Sequence, residues 1–218
     1  MVVGVLREPD VKYFSHIPST FTSTSRSLIL ARLGYKKGKT ELKEKDCDLI
    51  NEQIEKALLL CQARGAICFC PIKEHGDNKV VLADGTEFLS ARLAKFLANS
   101  SEVVLMAATL GREITTEIAR AVKNGNPVTG LVFDAVASQV VDTALDWLVD
   151  LINKMIRIKG QSLTKHRFSP GYGDLGLEHQ KIIYDLLDLK RLDIMITDRF
   201  MLEPEKSVIA IAGIEVAN

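Results

Sequence analysis

The residues of this 218-residue chain best suited to chemistry crowd into eight consecutive positions, Arg167-Phe168-Ser169-Pro170-Gly171-Tyr172-Gly173-Asp174. A permanent cation, a proline, two glycines, an aromatic hydroxyl and a carboxylate meet there. Pro170 fixes one backbone angle, while Gly171 and Gly173 let the main chain turn sharply or approach a ligand closely. Arg167 offers a planar fork suited to a carboxylate, and Tyr172 offers an aromatic face with a hydroxyl. On residue types alone, the same positions also describe a turn with an exposed arginine.

Other candidates are weaker. Asp134, Asp142, Asp146 and Asp150 fall on one long helical pattern and could present carboxylates to a cation, but such a stripe is usually a solvated face. That plainer reading is strongest for Asp146 and Asp150. The Thr109-Leu110-Gly111 corner joins an apolar strand to a helix start and could hold an anion through free backbone N–H groups. It lacks a P-loop lysine and a dinucleotide fingerprint, so a capping corner is the simpler expectation. His16, His75, His166 and His179 have neither metal-ligand spacing nor a nucleophile beside them. The four cysteines, Cys47, Cys61, Cys68 and Cys70, are read as reduced thiols, with Cys68 and Cys70 on one face of a strand.

The elements that must position these residues follow from periodicity. A short helix is expected from Ser25 to a stop at Gly34, with N-caps from the preceding Ser/Thr cluster. A longer one is expected from about Leu42 to Arg64, stopped by Gly65. Ala66–Ile72 and Lys79–Leu82 read as a hairpin around His75-Gly76-Asp77-Asn78. Ser90 falls early in a helix carrying Leu89, Leu93, Phe96 and Leu97. Val103–Ala108 is a continuous apolar run and hence a buried strand, followed by a helix through Ile114 and Ile118. The longest helix is expected from about Gly130 to Arg157, with Phe133, Val136, Val140, Ala144, Leu148, Leu151 and Met155 on its core stripe. After the Arg167–Asp174 loop come a helix through Ile183 and Leu186, a strand at Ile194–Thr197 and a closing strand at Ser207–Ile214. This is an α+β pattern, with helices packed on an antiparallel or mixed sheet in a single unit over residues 1–218. Basic and acidic residues number 28 each, which leaves no overall field to draw in nucleic acid or an anionic membrane. The start, Met1 to Leu6, is too short for a signal-peptide core, and no later apolar run reaches bilayer length, so a cytoplasmic protein is expected.

The run R-F-S-P-G-Y-G-D, with the helix through Leu186-Leu187, then Ile194-Met195-Ile196-Thr197, then Phe200-Met201-Leu202-Glu203-Pro204-Glu205-Lys206-Ser207, resembles the C-terminal part of the activation domain of cobalamin-dependent methionine synthase. That family shows Arg-x-x-Pro-Gly-Tyr, a helix, a short strand and Phe-x-Met-x-Pro-x-x-Ser leading into another strand. Ala135–Asp142 is similar to its long helix, and Leu33-Gly34-Tyr35 and Ala108–Gly111 are similar to free-standing relatives. The similarity is specific over residues 130–212 and looser before them.

The resemblance implies a domain that binds S-adenosylmethionine and serves to remethylate cob(II)alamin after one-electron reduction, the cobalamin being held by a partner. By position, Arg167 would take the carboxylate of the methionine portion. Ser169 and Gly171 would give backbone contacts, and Tyr172 would border the ligand. Asp142 would face the sulfonium or ammonium group. The implied partners are a corrinoid-binding methionine synthase lacking its own activation domain and a flavodoxin or ferredoxin-type electron donor. Two departures stand out: the family's N-terminal aromatic segment with its Asp has no counterpart before Arg26, and its tyrosine-containing stretch past the last strand has none before Asn218. The expectation is therefore weak S-adenosylmethionine binding, or a pocket completed by the partner. An alternative is a non-catalytic docking module that grips a corrinoid protein without using S-adenosylmethionine. A free-standing methyltransferase is the most distant reading, because the glycine-rich strand-to-helix motif of the common methyltransferase fold is missing.

Overall fold

The computed structural model of the chain describes residues 10–18, 23–36, 38–41 and 43–217. The apolar start at residues 1–6 and residues 19–22 of the Ser/Thr cluster expected to cap the first helix lie outside the described residues.

Strand β5 (Glu102–Thr109) is the centre of the fold. Val104, Met106 and Ala108 point into one core, and Val103, Leu105 and Ala107 into another, as the two-residue period of a strand requires. Both faces are covered, which is why the sequence here is an unbroken apolar run. On one side β5 pairs with β2 (Arg64–His75) and on the other with β9 (Ser207–Val216). The hairpin partners β3 (Lys79–Leu82) and β4 (Glu87–Leu89) extend the sheet beyond β2, and β6 (Gln161–Leu163) extends it beyond β9. The short β1 (Lys12–Phe14) lies against the first half of β2. Every pairing is antiparallel, so the sheet takes the first of the two arrangements expected.

The first core is closed by helices α1 (Ser23–Arg32), α2 (Glu44–Leu60), α4 (Arg112–Lys123) and α5 (Pro127–Arg157). Pro127 occupies the first turn of α5, where its missing N–H costs nothing, so the helix begins before Gly130. Phe133, Val136, Val140, Ala144 and Leu148 are buried as the periodicity requires. Toward the C-terminus the buried stripe passes to Ile152 and Ile156, while Leu151 and Met155 are only partly covered. A 3.6-residue period drifts against a strict seven-residue repeat, and 31 residues are enough to show the drift. Contrary to the sequence expectation, α5 is long and apolar enough to cross a bilayer; 61% of that stretch is buried within the fold, against the sheet and the neighbouring helices.

Helix α2 ends at Leu60 rather than near Arg64, and Gly65 is not a helix stop. It lies inside β2, where an added Cβ would sit 2.9 Å from the Ala107 carbonyl oxygen and 3.1 Å from Leu148 Cδ1. Glycine there lets β5 and α5 close on β2. Across the sheet, α3 (Ala91–Phe96) and α6 (His179–Leu186) cover the second core together with a 3-10 turn at Leu189–Leu192. Leu89 belongs to β4, and Ser90 is the N-cap of α3, its hydroxyl accepting the Leu93 N–H at 2.9 Å. The strand expected at Ile194–Thr197 contracts to β7 (Met195–Ile196), paired with β8 (Leu202–Glu203) as a small separate ribbon. Cys68 and Cys70 are buried in the second core with their sulfurs 3.7 Å apart.

Candidate functional site

The Arg167–Asp174 loop is fastened at three points. Phe168 and Ile211 exchange two backbone hydrogen bonds of 2.8 and 2.7 Å, which dock the loop on β9. The Ser169 hydroxyl donates to the Ile209 carbonyl at 2.8 Å and continues that docking. At the far end, the Asp174 carboxylate accepts the Ser90 hydroxyl and the N–H groups of Ala91, at 2.8 Å, and Arg92. Asp174 thus sits on the N-terminus of α3, and the Ser90 hydroxyl followed by those backbone N–H groups holds its carboxyl below the ordinary range.

Between the fastenings the chain turns back on itself. Gly171 has φ +89° and gives its N–H to the Leu175 carbonyl at 2.8 Å, while Tyr172 N–H bonds Ser169 O at 3.2 Å. Gly173, at φ +63°, leaves room for Arg92, whose Cδ would lie 2.8 Å from a Cβ. These two positions need glycine for different reasons, one for the turn and one for close approach.

A cavity of about 570 Å³ opens between this loop, α5 and the start of β9. Arg167, Ser169 and Tyr172 line it from the loop and Asp142 from α5, so four of the five residues singled out by sequence are brought together. Gly171 is not among the lining residues and shapes the loop from behind. Leu145, Val208 and Ile209 supply an apolar wall, and Gln180 an amide that is bonded to the Phe200 carbonyl. Tyr172 is 72% exposed, so its ring stands at the rim.

The charges are arranged in pairs. Arg167 Nη1 donates to Asp146 Oδ1 at 2.6 Å, and Asp142 Oδ2 accepts from Arg32 Nη2 at 2.6 Å. Behind the β9 wall, the largely buried Lys206 side chain bonds Asp134 at 2.6 Å and Ser138 Oγ at 3.1 Å, which fixes the chain entering Ser207 to α5. Sequence reasoning left Asp146 on a solvated face and gave Arg32 and Lys206 no role. Arg32 and Asp142 lie 110 positions apart, and no local signal connects them.

At the Thr109-Leu110-Gly111 corner Gly111 is the N-cap of α4 and no side chain caps that helix; the Thr109 hydroxyl accepts the Gly111 N–H at 3.2 Å and lies 2.8 Å from the Ser207 hydroxyl. Beside it is a second cavity of about 520 Å³, in which Arg64 is engaged by Asp193 and Glu113 by Gln62. His179 is a structural residue; its Nε2 accepts the Leu89 N–H at 3.1 Å, and its ring stacks on Phe88.

The loop cavity therefore offers a guanidinium, a carboxylate, an aromatic rim and an apolar wall. Its two serine hydroxyls are already engaged, Ser169 donating to the Ile209 carbonyl and Ser207 to the Pro204 carbonyl. A zwitterionic end attached to a flat, partly apolar body matches it by charge and by surface.

Taken together, these elements define an α+β domain in which a curled antiparallel sheet, with helices on both faces, carries the cavity at one edge of α5. No family model matches the sequence, and no curated protein matches it. In three dimensions the chain is similar to the crystal structure of the MetH reactivation domain bound to AdoHcy, with a TM-score of 0.64 and 13% identity over 95% of this chain and 79% of that one. At that identity the likeness is one of fold, and the chain has the reactivation-domain fold that the Arg167–Tyr172 resemblance implied.

Proposed function

We propose that this protein is a soluble accessory activation subunit that binds S-adenosylmethionine in the Arg167–Tyr172 cavity and serves a corrinoid protein held in trans. The observation that carries this reading is that Arg167, from the loop, and Asp142, from α5, line one cavity of a chain with the reactivation-domain fold. The neighbouring structure holds AdoHcy, the product left when S-adenosylmethionine gives up its methyl group.

In this reading Arg167 takes the carboxylate of the methionine portion, and Asp142 faces the cationic ammonium or sulfonium. Ser169 holds the loop on β9 so that its backbone reaches the ligand, Gly171 sets the turn, and Tyr172 borders the nucleoside. Leu145, Val208 and Ile209 exclude water from the opposite side. S-adenosylmethionine supplies the methyl group, and the cobalamin that receives it belongs to the partner, a methionine synthase without its own activation domain. The electron comes from a flavodoxin or ferredoxin-type donor. This chain's contribution is positioning, which by itself lowers a barrier substantially.

Calorimetry with AdoHcy tests the reading, first on the protein alone and then on its complex with a corrinoid protein. Binding in either setting is expected; its absence from both rules the reading out. A second reading, a docking module that binds the corrinoid protein without S-adenosylmethionine, is favoured by the ion pairs already made by Arg167 and Asp142. It requires the Arg167→Ala variant to support reactivation as well as the wild type does.

A further inference from the structure

The two charged groups of the cavity are each gripped by a counter-charge that stands outside it. Arg167 and Asp142 line the cavity, whereas Asp146 and Arg32 do not. Asp146 is 65% exposed and holds Arg167 by Nη1, at one side of the guanidinium fork. Arg32, at the end of α1, reaches one oxygen of Asp142, its Oδ2. Each pair is held by a single contact, so each inner group keeps further donors or acceptors for a ligand.

From this arrangement we infer that Asp146 and Arg32 are positioning residues that clamp Arg167 and Asp142 from outside, fixing a receptor for a zwitterionic amino-acid head group. The inference rests on the reading of the cavity as an S-adenosylmethionine site and adds to it the residues that set its specificity. A free arginine side chain explores many rotamers, and ordering it on ligand binding costs free energy. The clamp orders it beforehand. Asp142 and Asp146 are one helical turn apart on α5, a rise of about 6 Å, so α5 both supplies an acidic group to the cavity and holds the basic one in register beside it. Four charges balanced in two pairs leave the empty cavity neutral, so a ligand bearing both charges is matched while a simple anion or cation is not.

Two probes and six proteins test this. AdoHcy carries the zwitterionic head; 5′-methylthioadenosine carries the same nucleoside without it. Affinities for both are measured by calorimetry on the full chain, or on its complex with a corrinoid protein if only that binds, for wild type, Asp146→Ala, Asp146→Asn, Arg32→Ala, Arg167→Ala and Asp146→Ala combined with Arg167→Ala. An exposed ion pair contributes up to about 1 kcal/mol, so Asp146→Ala and Arg32→Ala should each weaken AdoHcy by about two- to fivefold and leave 5′-methylthioadenosine unchanged. Asp146→Asn, which keeps an oxygen acceptor for Nη1, should recover part of the loss. In the double variant the loss should equal that of Arg167→Ala alone, because the clamp acts only through Arg167. Tighter AdoHcy binding by Asp146→Ala would mean that Asp146 competes with the ligand, and it overturns the inference. Equal losses for both probes, or none for either, overturn it as well. If wild type binds neither probe in either setting, the reading of the cavity falls and takes the clamp with it; if wild type binds AdoHcy, only the clamp is at stake.

Discussion

Replacing Arg167 tests the proposed ligand chemistry most directly. A hydrogen bond from a charged group to a carboxylate contributes about 1.5–3 kcal/mol, and the middle of that range suits Arg167, whose side chain is 30% exposed. Its pair with Asp146 leaves this figure standing, because that contact uses Nη1 alone and the other N–H groups of the fork stay available to the ligand. Loss of about 2 kcal/mol corresponds to AdoHcy binding roughly 30-fold more weakly to Arg167→Ala. Arg167→Lys keeps a point charge but not the fork, and should fall between, at about five- to tenfold. The assay is calorimetric titration with AdoHcy, with 5′-methylthioadenosine as the control that should not change. Among the described residues the Arg167 side chain makes one hydrogen bond, an exposed pair that joins the loop to Asp146 of α5, so the thermal melt should stay near that of wild type. An Arg167→Ala variant that binds AdoHcy within about twofold of wild type would refute the assignment of the carboxylate to this fork.

Three further outcomes follow from the fold. Gly65→Ala forces a methyl group to 2.9 Å from the Ala107 carbonyl oxygen between β2 and β5, and overpacking of this kind should cost about 1–3 kcal/mol in urea unfolding. A variant as stable as wild type would show that the two strands can spread. Asp174 has its carboxyl held below the ordinary 3.8, so its contribution to stability is complete above that pH and is lost as pH falls through the lower folded value. Melts recorded from pH 6 downward should therefore show Asp174→Asn less stable than wild type, with the difference closing under acid; a constant difference would count against the cap. Burial pushes the Cys61 thiol up to about 12, so iodoacetamide at pH 8 should leave Cys61 unmodified in the native protein and label it after unfolding, as read by mass spectrometry.

Much of this was legible in sequence because it is local. The unbroken run Val103–Ala108 announces a strand covered on both faces, and the stripe from Phe133 to Leu148 announces a core helix. The eight residues Arg167–Asp174 carry their turn chemistry within themselves, in Pro170, Gly171 and Gly173. Gly65 was misread for the same reason. A glycine after a helical pattern looks like a stop, and only the approach of Ala107 and Leu148 shows that it is a packing glycine.

The sequence by itself marked the Arg167–Asp174 loop by its residue types and gave the elements that flank it, since residue type and period depend on near neighbours alone. Tertiary structure decided which charges meet. Asp142 and Asp146 are equivalent in the helical pattern, yet one lines the cavity beside Arg167 and the other grips Arg167 from outside. Arg32 reaches Asp142 only because α1 packs on α5, and the Ser207–Ile209 wall stands where it does because β9 closes on β5 and Lys206 anchors it to Asp134. Such pairings span up to 110 positions and are fixed by how the whole chain packs, so no local window of sequence contains them.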